Sequence, residues 1–283
     1  MERDSTNSAT TLAATPTTQR AGPTQVAARG AAEISPGDIS GGPNTSHTIM
    51  VAALGALLNA VPSHAAFSDY ERAALESNVL GKQTEEARRR TFRYLRELYL
   101  LRPDALLFRA LRDLWLHDRQ AQPVLAGLCA VARDAVFRAS SDAITRSHAG
   151  DMLTARDFAQ VVGERFPGVY RDTTLAKIGR NVFSSWEQTG HLARHARLTK
   201  VRTRPTCQPA NVAYALMLGF LEGARGQALF KTLWANVLDQ PMSHLYELAS
   251  SASQRGLMEF RHAGGVVEVS FHELLRPFDG EHA

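Results

Sequence analysis

The sequence predicts a mostly α protein: a helical bundle followed by winged helix-turn-helix units with short β-hairpins. Three observations carry this. Apolar residues recur at helical spacing from about residue 47 to 150. A helix at Thr173–Gln188 is stopped by Thr189-Gly190 and followed by a basic, Thr-rich ribbon. A second helix, a glycine and two short alternating strands follow Pro241.

The elements follow in order. Residues 1–46 are dominated by Thr, Ala, Ser, Gly and Pro with few large apolar groups. Burial there cannot offset ordering entropy, so a disordered low-complexity tail is expected. Residues 47–150 read as the bundle. Ser68 is placed to cap a helix containing Tyr70, Ala73, Ala74 and Leu75, and Thr84 to cap the next, whose first turn holds Glu85 and Glu86. Pro103-Asp104 opens a third helix bearing Leu106, Leu107, Leu111 and Trp115, and Pro123 suits the first turn of a fourth. Residues 151–222 read as a winged-helix-like basic domain, with helices at Thr154–Arg165, Thr173–Gln188 and Asn211–Leu221. Residues 223–283 read as a helical segment with a β-hairpin wing: a helix at Gln227–Leu238, one capped by Ser243, then strands Leu257–His262 and Val266–Phe271 around Ala263-Gly264-Gly265.

Charge singles out one stretch. Between Arg171 and Arg204 lie eight basic residues and two acids, a net of +6, whereas the whole chain carries +4. Such a concentrated patch on a folded scaffold is what a polyanion binder needs. Within it, Leu175, Ile178, Val182 and Trp186 form an apolar stripe, and Thr173, Lys177, Arg180, Asn181, Ser184 and Gln188 gather on the opposite face. Lys177, Arg180, Asn181, Ser184 and Gln188 are therefore assigned to the groove of a nucleic acid, and Arg194, Arg197, Lys200, Arg202 and Arg204 to its phosphates. The alternative is a solvated amphipathic helix beside a basic loop. Arg89, Arg93 and Arg96, flanked by Arg88 and Arg90, align as a second basic face; a solvated face paired with local acids is the alternative there.

Composition narrows the rest. An apolar content of 44% supports a core, and two cysteines are too few for a disulfide framework, which fits a reducing cytosol. The most apolar runs, Ile49–Leu58 and Val212–Leu221, are half the ~20 residues that a membrane span requires. A cytoplasmic protein without a membrane segment is expected.

No catalytic pattern holds. Gly81-Lys82-Gln83-Thr84 resembles the end of a phosphate-binding loop, but Gln follows the Lys and Glu76 replaces the upstream glycine. His191 and His195 lack the intervening glutamate of a zinc-protease helix, and Gly190 opposes a helix, so they are read as phosphate-contacting residues of the loop. Cys129 lies on an apolar stripe and reads as core; Cys207 follows Arg202 and Arg204, which could lower its pKa, yet no His–Asp arrangement accompanies it. No catalytic residue, metal or cofactor is assigned.

Several stretches carry a family resemblance: Glu76-Ser77-Asn78-Val79-Leu80, Arg88-Arg89-Arg90 leading into Tyr94-Leu95-Arg96-Glu97-Leu98, and Thr173 to Asn181 ending at Thr189-Gly190-His191-Leu192. Together with the helical order, over roughly Ile49 to Leu216, they resemble the BrxA-like family of BREX bacteriophage-defence systems. The resemblance implies a helical protein with winged-helix features that binds DNA without catalysis. It also implies a methyltransferase and an ATPase as neighbouring subunits. Double-stranded DNA is the expected partner; a protein–protein adaptor whose basic face docks an acidic subunit, and an RNA-binding helical protein, are the other readings.

Overall fold

The computed structural model describes residues 23–35 and 41–278, and the chain is mostly helical, 59% helix against 8% strand. After α1 (Pro23–Glu33) and a 3-10 turn at Pro43–Thr45 come α2 (Val51–Ala60), α3 (Phe67–Leu75), α4 (Glu85–Tyr99), α5 (Leu106–Trp115), α6 (Gln122–Arg133) and α7 (Ala135–Thr145). Thr84 caps α4 as the sequence predicts, its hydroxyl accepting the Ala87 N–H at 3.2 Å. Ser68 does not cap α3: that helix begins at Phe67, and Asp69 reaches back to the Ala66 N–H at 2.9 Å. α6 is buried almost throughout, as a helix hydrophobic on every face must be.

The expected tail is corrected for residues 23–35 and 41–46; residues 1–22 and 36–40 lie outside the described residues. Val26 and Ile34 join the core, and Asn44 is fully buried. Small residues are what allow this. Gly30 sits so close to Leu106 that a methyl group in its place would collide with that side chain. Glu33 then accepts the Leu106 and Leu107 N–H groups at 2.7 and 2.8 Å, supplying from another helix the cap that α5 lacks. Pro103-Asp104 therefore precedes α5 rather than opening it.

A second layer follows: β1 (Met152–Thr154), α8 (Ala155–Arg165), α9 (Asp172–Gln188), β2 (Leu192–Arg194) and β3 (Thr199–Arg202). The three strands form an antiparallel sheet with β3 in the middle, Met152 opposite Val201 and Leu192 opposite Arg202. α10 (Pro209–Leu221) returns into the bundle and packs on α1, α5 and α6, so the segment read as a basic domain shares the bundle's core.

The expected helix Gln227–Leu238 is broken. A 3-10 segment, Gly226–Lys231, precedes α11 (Leu233–Val237), because Thr232 is extended and its hydroxyl caps α11 at the Ala235 N–H. α12 (Met242–Gln254) starts after Pro241, leaving Ser243 in its first turn rather than at the cap. β4 (Glu259–Ala263) and β5 (Val266–Ser270) close a hairpin through Gly264-Gly265, both at positive φ, the geometry a two-residue turn of this hand requires.

Asp134 joins these layers. It ends α6, caps α7 through the Phe137 N–H at 2.8 Å, and accepts the Asn44 N–H at 2.8 Å and the Asn44 side-chain amide at 3.2 Å. Replacing it strands buried donors as well as a helix cap. Asp134→Ala is expected to lower unfolding free energy by about 3 kcal/mol in denaturant titration. Amide exchange should accelerate first in residues 42–51.

Candidate nucleic-acid interface

α8 and α9 approach unusually closely. Thr154 caps α8, and both its N–H and its hydroxyl donate to Asp157 Oδ2, at 2.7 and 2.8 Å. Against that first turn lies Gly179 of α9, where a β-carbon would run into the Ala155 carbonyl and Ala159. Ile178, Val182 and Trp186 turn inward as the sequence predicts. Trp186 fixes the helix, its indole N–H donating to Ser140 Oγ at 2.9 Å and its ring stacking on Phe137.

The polar face of α9 divides in two. Thr173, Lys177 and Arg180 are exposed along its first half. Ser184 is half-buried, and Asn181 and Gln188 are occupied internally. The Asn181 amide donates to the Asn44 carbonyl at 3.1 Å, and Gln188 Oε1 accepts the Val51 N–H at 3.0 Å. Ser185 accepts the Ile49 N–H at 3.1 Å. Asn181 and Gln188 thus tether residues 44–51 to α9 and are not available to a groove, which corrects their assignment.

The ribbon divides as well. Strand pleating places Lys200 and Arg202 together on the inner face of β3, where both are buried. Lys200 Nζ donates to the Phe183 carbonyl at 2.9 Å, pairs with Glu187 at 2.8 Å and rests over the Phe183 ring. Arg202 pairs with Asp239 at 3.1 Å and donates to the carbonyls of Ile144, His191 and Thr203. Burial of this guanidinium lowers its pKa, an effect that Asp239 opposes. Neither residue can reach a phosphate without leaving its pocket. Arg204 is half-exposed with Asp239 at 3.8 Å, and Arg194 is exposed with Glu187 at 2.8 Å. Arg197 stands exposed at the hairpin tip between β2 and β3, beside Leu198, which is 76% exposed.

Leu198 and Arg180 line one groove with Arg156 and Gln160 of α8 and Leu175 and Ala176 of α9, about 700 Å³ in volume. Arg156 and Gln160 were not marked by the sequence reading; their position at the exposed start of α8 was the available signal.

The second basic face meets the first. The His47 ring packs against Tyr94 of α4, centroids 4.0 Å apart. Burial lowers the His47 pKa, and the fields of Arg90, Lys177 and Arg93 lower it further, so α4 and the first half of α9 converge there. Arg93 lies over the Tyr94 ring. Arg89 turns away to Glu85 at 2.6 Å, and Arg96 is exposed one turn further on.

The remaining motifs are accounted for. Lys82 lies in a turn closed by Asn78, whose side chain bonds both to its N–H and to its carbonyl. Burial pushes both Cys129 and Cys207 up to about 12, so Arg202 and Arg204 do not activate Cys207. Among the described residues no group of three or more His, Cys, Asp or Glu could hold a metal ion, and no helix is long and apolar enough to cross a membrane. His191 is buried rather than phosphate-facing. Its Nε2 donates to the Val237 carbonyl at 2.7 Å, and Nδ1 lies 2.7 Å from the Thr189 hydroxyl.

Two expectations follow. Burial lowers the His191 pKa to about 3 from 6.5. The unfolded chain therefore binds the extra proton between these values, and the stability present above pH 6.5 is lost as pH falls towards 3. The loss is on the order of 5 kcal/mol, and His191→Gln should flatten that segment of a stability–pH profile. In denaturant titrations Arg202→Ala should cost about 3 kcal/mol by breaking a buried pair, whereas Arg197→Ala should stay within about 0.5 kcal/mol of wild type. Comparison with family models, with curated proteins and with solved structures returns no match for this chain.

Proposed function

We propose that α7, β1, α8, α9, β2 and β3 form a winged helix-turn-helix unit that binds duplex DNA without catalysing a reaction on it. In this reading α9 is the recognition helix and residues 195–198 are the wing tip. The observation that carries it is the shared groove: the exposed half of α9 and the hairpin tip line one concavity, with Arg156, Arg180 and Leu198 on its walls and Lys177 and Arg197 exposed on the same two elements. Lys177 and Arg180 face the major groove and neutralise phosphates along its edge, as Arg156 and Arg197 do beside it. Arg90 and Arg93 extend the track along α4. Residues 242–270 repeat the helix–hairpin pattern with balanced charge and serve as a second, weaker unit. From the resemblance to the BrxA-like family we infer that this activity serves a BREX-type anti-phage complex in the cytoplasm, with a methyltransferase and an ATPase as neighbours.

A second reading has its own support. The groove between α8, α9 and the hairpin tip is walled largely by Ala155, Ala159, Leu175, Ala176 and Leu198, apolar chemistry that suits a protein partner. In that reading the protein is an adaptor docking another subunit. The RNA-binding reading gains nothing further from the geometry.

Salt-dependent binding to a labelled random-sequence duplex separates these readings. Contacts from Arg90, Arg93, Arg156, Lys177, Arg180 and Arg197 give a slope of log K against log salt of about −5. Lys177→Ala/Arg180→Ala/Arg197→Ala should reduce its magnitude by about 2.7, while Lys200→Met should leave it unchanged. Absence of binding at low salt, with nuclease-resistant capture of a neighbouring subunit, would establish the adaptor instead. Preference for duplex RNA over duplex DNA in competition would establish the RNA reading.

A further inference from the structure

We propose that His47, seated between α4 and the first half of α9, is a binding residue of the basic surface and takes up a proton when a DNA phosphate enters beside it. The proposal rests on the reading of α9 as the recognition helix and adds to it a dependence of affinity on pH.

Helical phase and two contacts put His47 in that position. Its ring packs on Tyr94 of α4, centroids 4.0 Å apart. Arg90 precedes Tyr94 by one turn and shares its face of α4. Arg93 lies over the Tyr94 ring and donates to its hydroxyl at 3.4 Å. On the opposite side the Asn181 amide holds the Asn44 carbonyl, three residues before His47, at 3.1 Å. Lys177 precedes Asn181 by one turn on the same face of α9. The His47 N–H donates to the Pro43 carbonyl at 2.8 Å, which fixes the backbone from which the ring projects.

Cations surround this ring, and no acid answers them. Arg90, Arg93 and Lys177 are exposed, and among the described residues none of them pairs with a carboxylate. On the α7 side Asp134 turns its oxygens to Asn44 and Phe137, and no carboxylate is among the groups that act on His47. The ring itself is half-buried, and none of the described residues hydrogen-bonds to its nitrogens. Burial, then Arg90, Lys177 and Arg93, lower its pKa below the ordinary 6.5, so the free protein holds a neutral imidazole at pH 7. A phosphate placed among these cations reverses the balance. Its charge offsets theirs and favours the imidazolium, which offers it two N–H donors where the neutral ring has one. The bound state thus holds more protons than the free state. Affinity therefore rises as pH falls through the raised pKa of the complex, and levels off below the lowered pKa of the free protein.

Fluorescence anisotropy of the full chain with a labelled random-sequence duplex, at fixed ionic strength from pH 5.5 to 7.5, tests this. Wild type should bind about tenfold more tightly at pH 5.5 than at pH 7.5. His47→Gln should reduce that change to about twofold, whereas His195→Gln at the wing tip should keep most of it, whatever its own effect on affinity. Arg90→Gln alters an exposed side chain, so folding is spared; the His47 ring, followed by NMR in the free protein, should then titrate at higher pH. Should His47→Gln fail to fold, the wild-type ring decides, since its titration should move to higher pH when duplex is added. The proposal is overturned if wild type binds equally at both pH values, if the change survives in His47→Gln, or if the ring titrates alike with and without duplex. Binding that ignores pH removes this proposal and leaves the DNA reading standing, whereas no binding at any pH removes both.

Discussion

The arrangement of the basic surface depends on one buried carboxylate. Asp134 sits where α6 ends and α7 begins, and it is almost wholly withdrawn from solvent. Burial raises its pKa, and the N–H donors of Asn44, Phe137 and Val136 oppose that rise. It thereby fixes the turn at Pro43–Thr45 against α7. That turn holds Asn44 against Asn181 and Ser185 of α9, and the chain beyond it carries Ile49 to the Tyr99 hydroxyl at 2.6 Å. One carboxylate thus decides where α2 starts, how α4 sits and which half of α9 is covered.

The consequence is a division of labour along a single helix. The second half of α9 spends its polar groups on residues 44–51, while the first half keeps Thr173, Lys177 and Arg180 exposed beside the start of α8. Gly179 is the point that makes this compatible with tight packing, since the Ala155 carbonyl occupies the space a β-carbon would need. A fixed helix presenting a few cations costs little reorganisation on binding, which favours rigid docking over ordering of a loop.

Much of this was legible in the sequence, and the parts that were not share a cause. The inward stripe of α9, the cap at Thr84 and the stop at Gly190 follow from local periodicity and turn chemistry. Lys200 and Arg202 were misplaced because a cluster of basic residues was taken as a solvent-facing patch. Of the counter-charges that reverse this, Glu187 lies on α9 within the same charged stretch and Asp239 after α11, and neither pairing is visible in the local pattern. Asn181 and Gln188 present the same difficulty. An amide that reads a groove and an amide that tethers a backbone look identical in sequence, and the partners of these two lie 137 residues away. Residues 23–35 and 41–46 were misjudged by composition, because small residues that bury little area can still permit close approach, as Gly30 does.

Counting charges along the chain therefore misstates the field the protein presents. Glu187 serves both Arg194 and Lys200, and Asp239 serves both Arg202 and Arg204. Two acids thus answer four of the bases in the ribbon, two of which are buried besides. The positive potential that reaches solvent moves away from the strands to the first half of α9, the hairpin tip, the start of α8 and the near face of α4. Of these, α4 is the one whose sequence lies farthest from the basic ribbon. Its Arg90 and Arg93 act on His47 together with Lys177, and this shared effect on one ring joins two sequence-distant clusters into a single electrostatic surface. Cations that share one field in this way act in concert rather than one at a time.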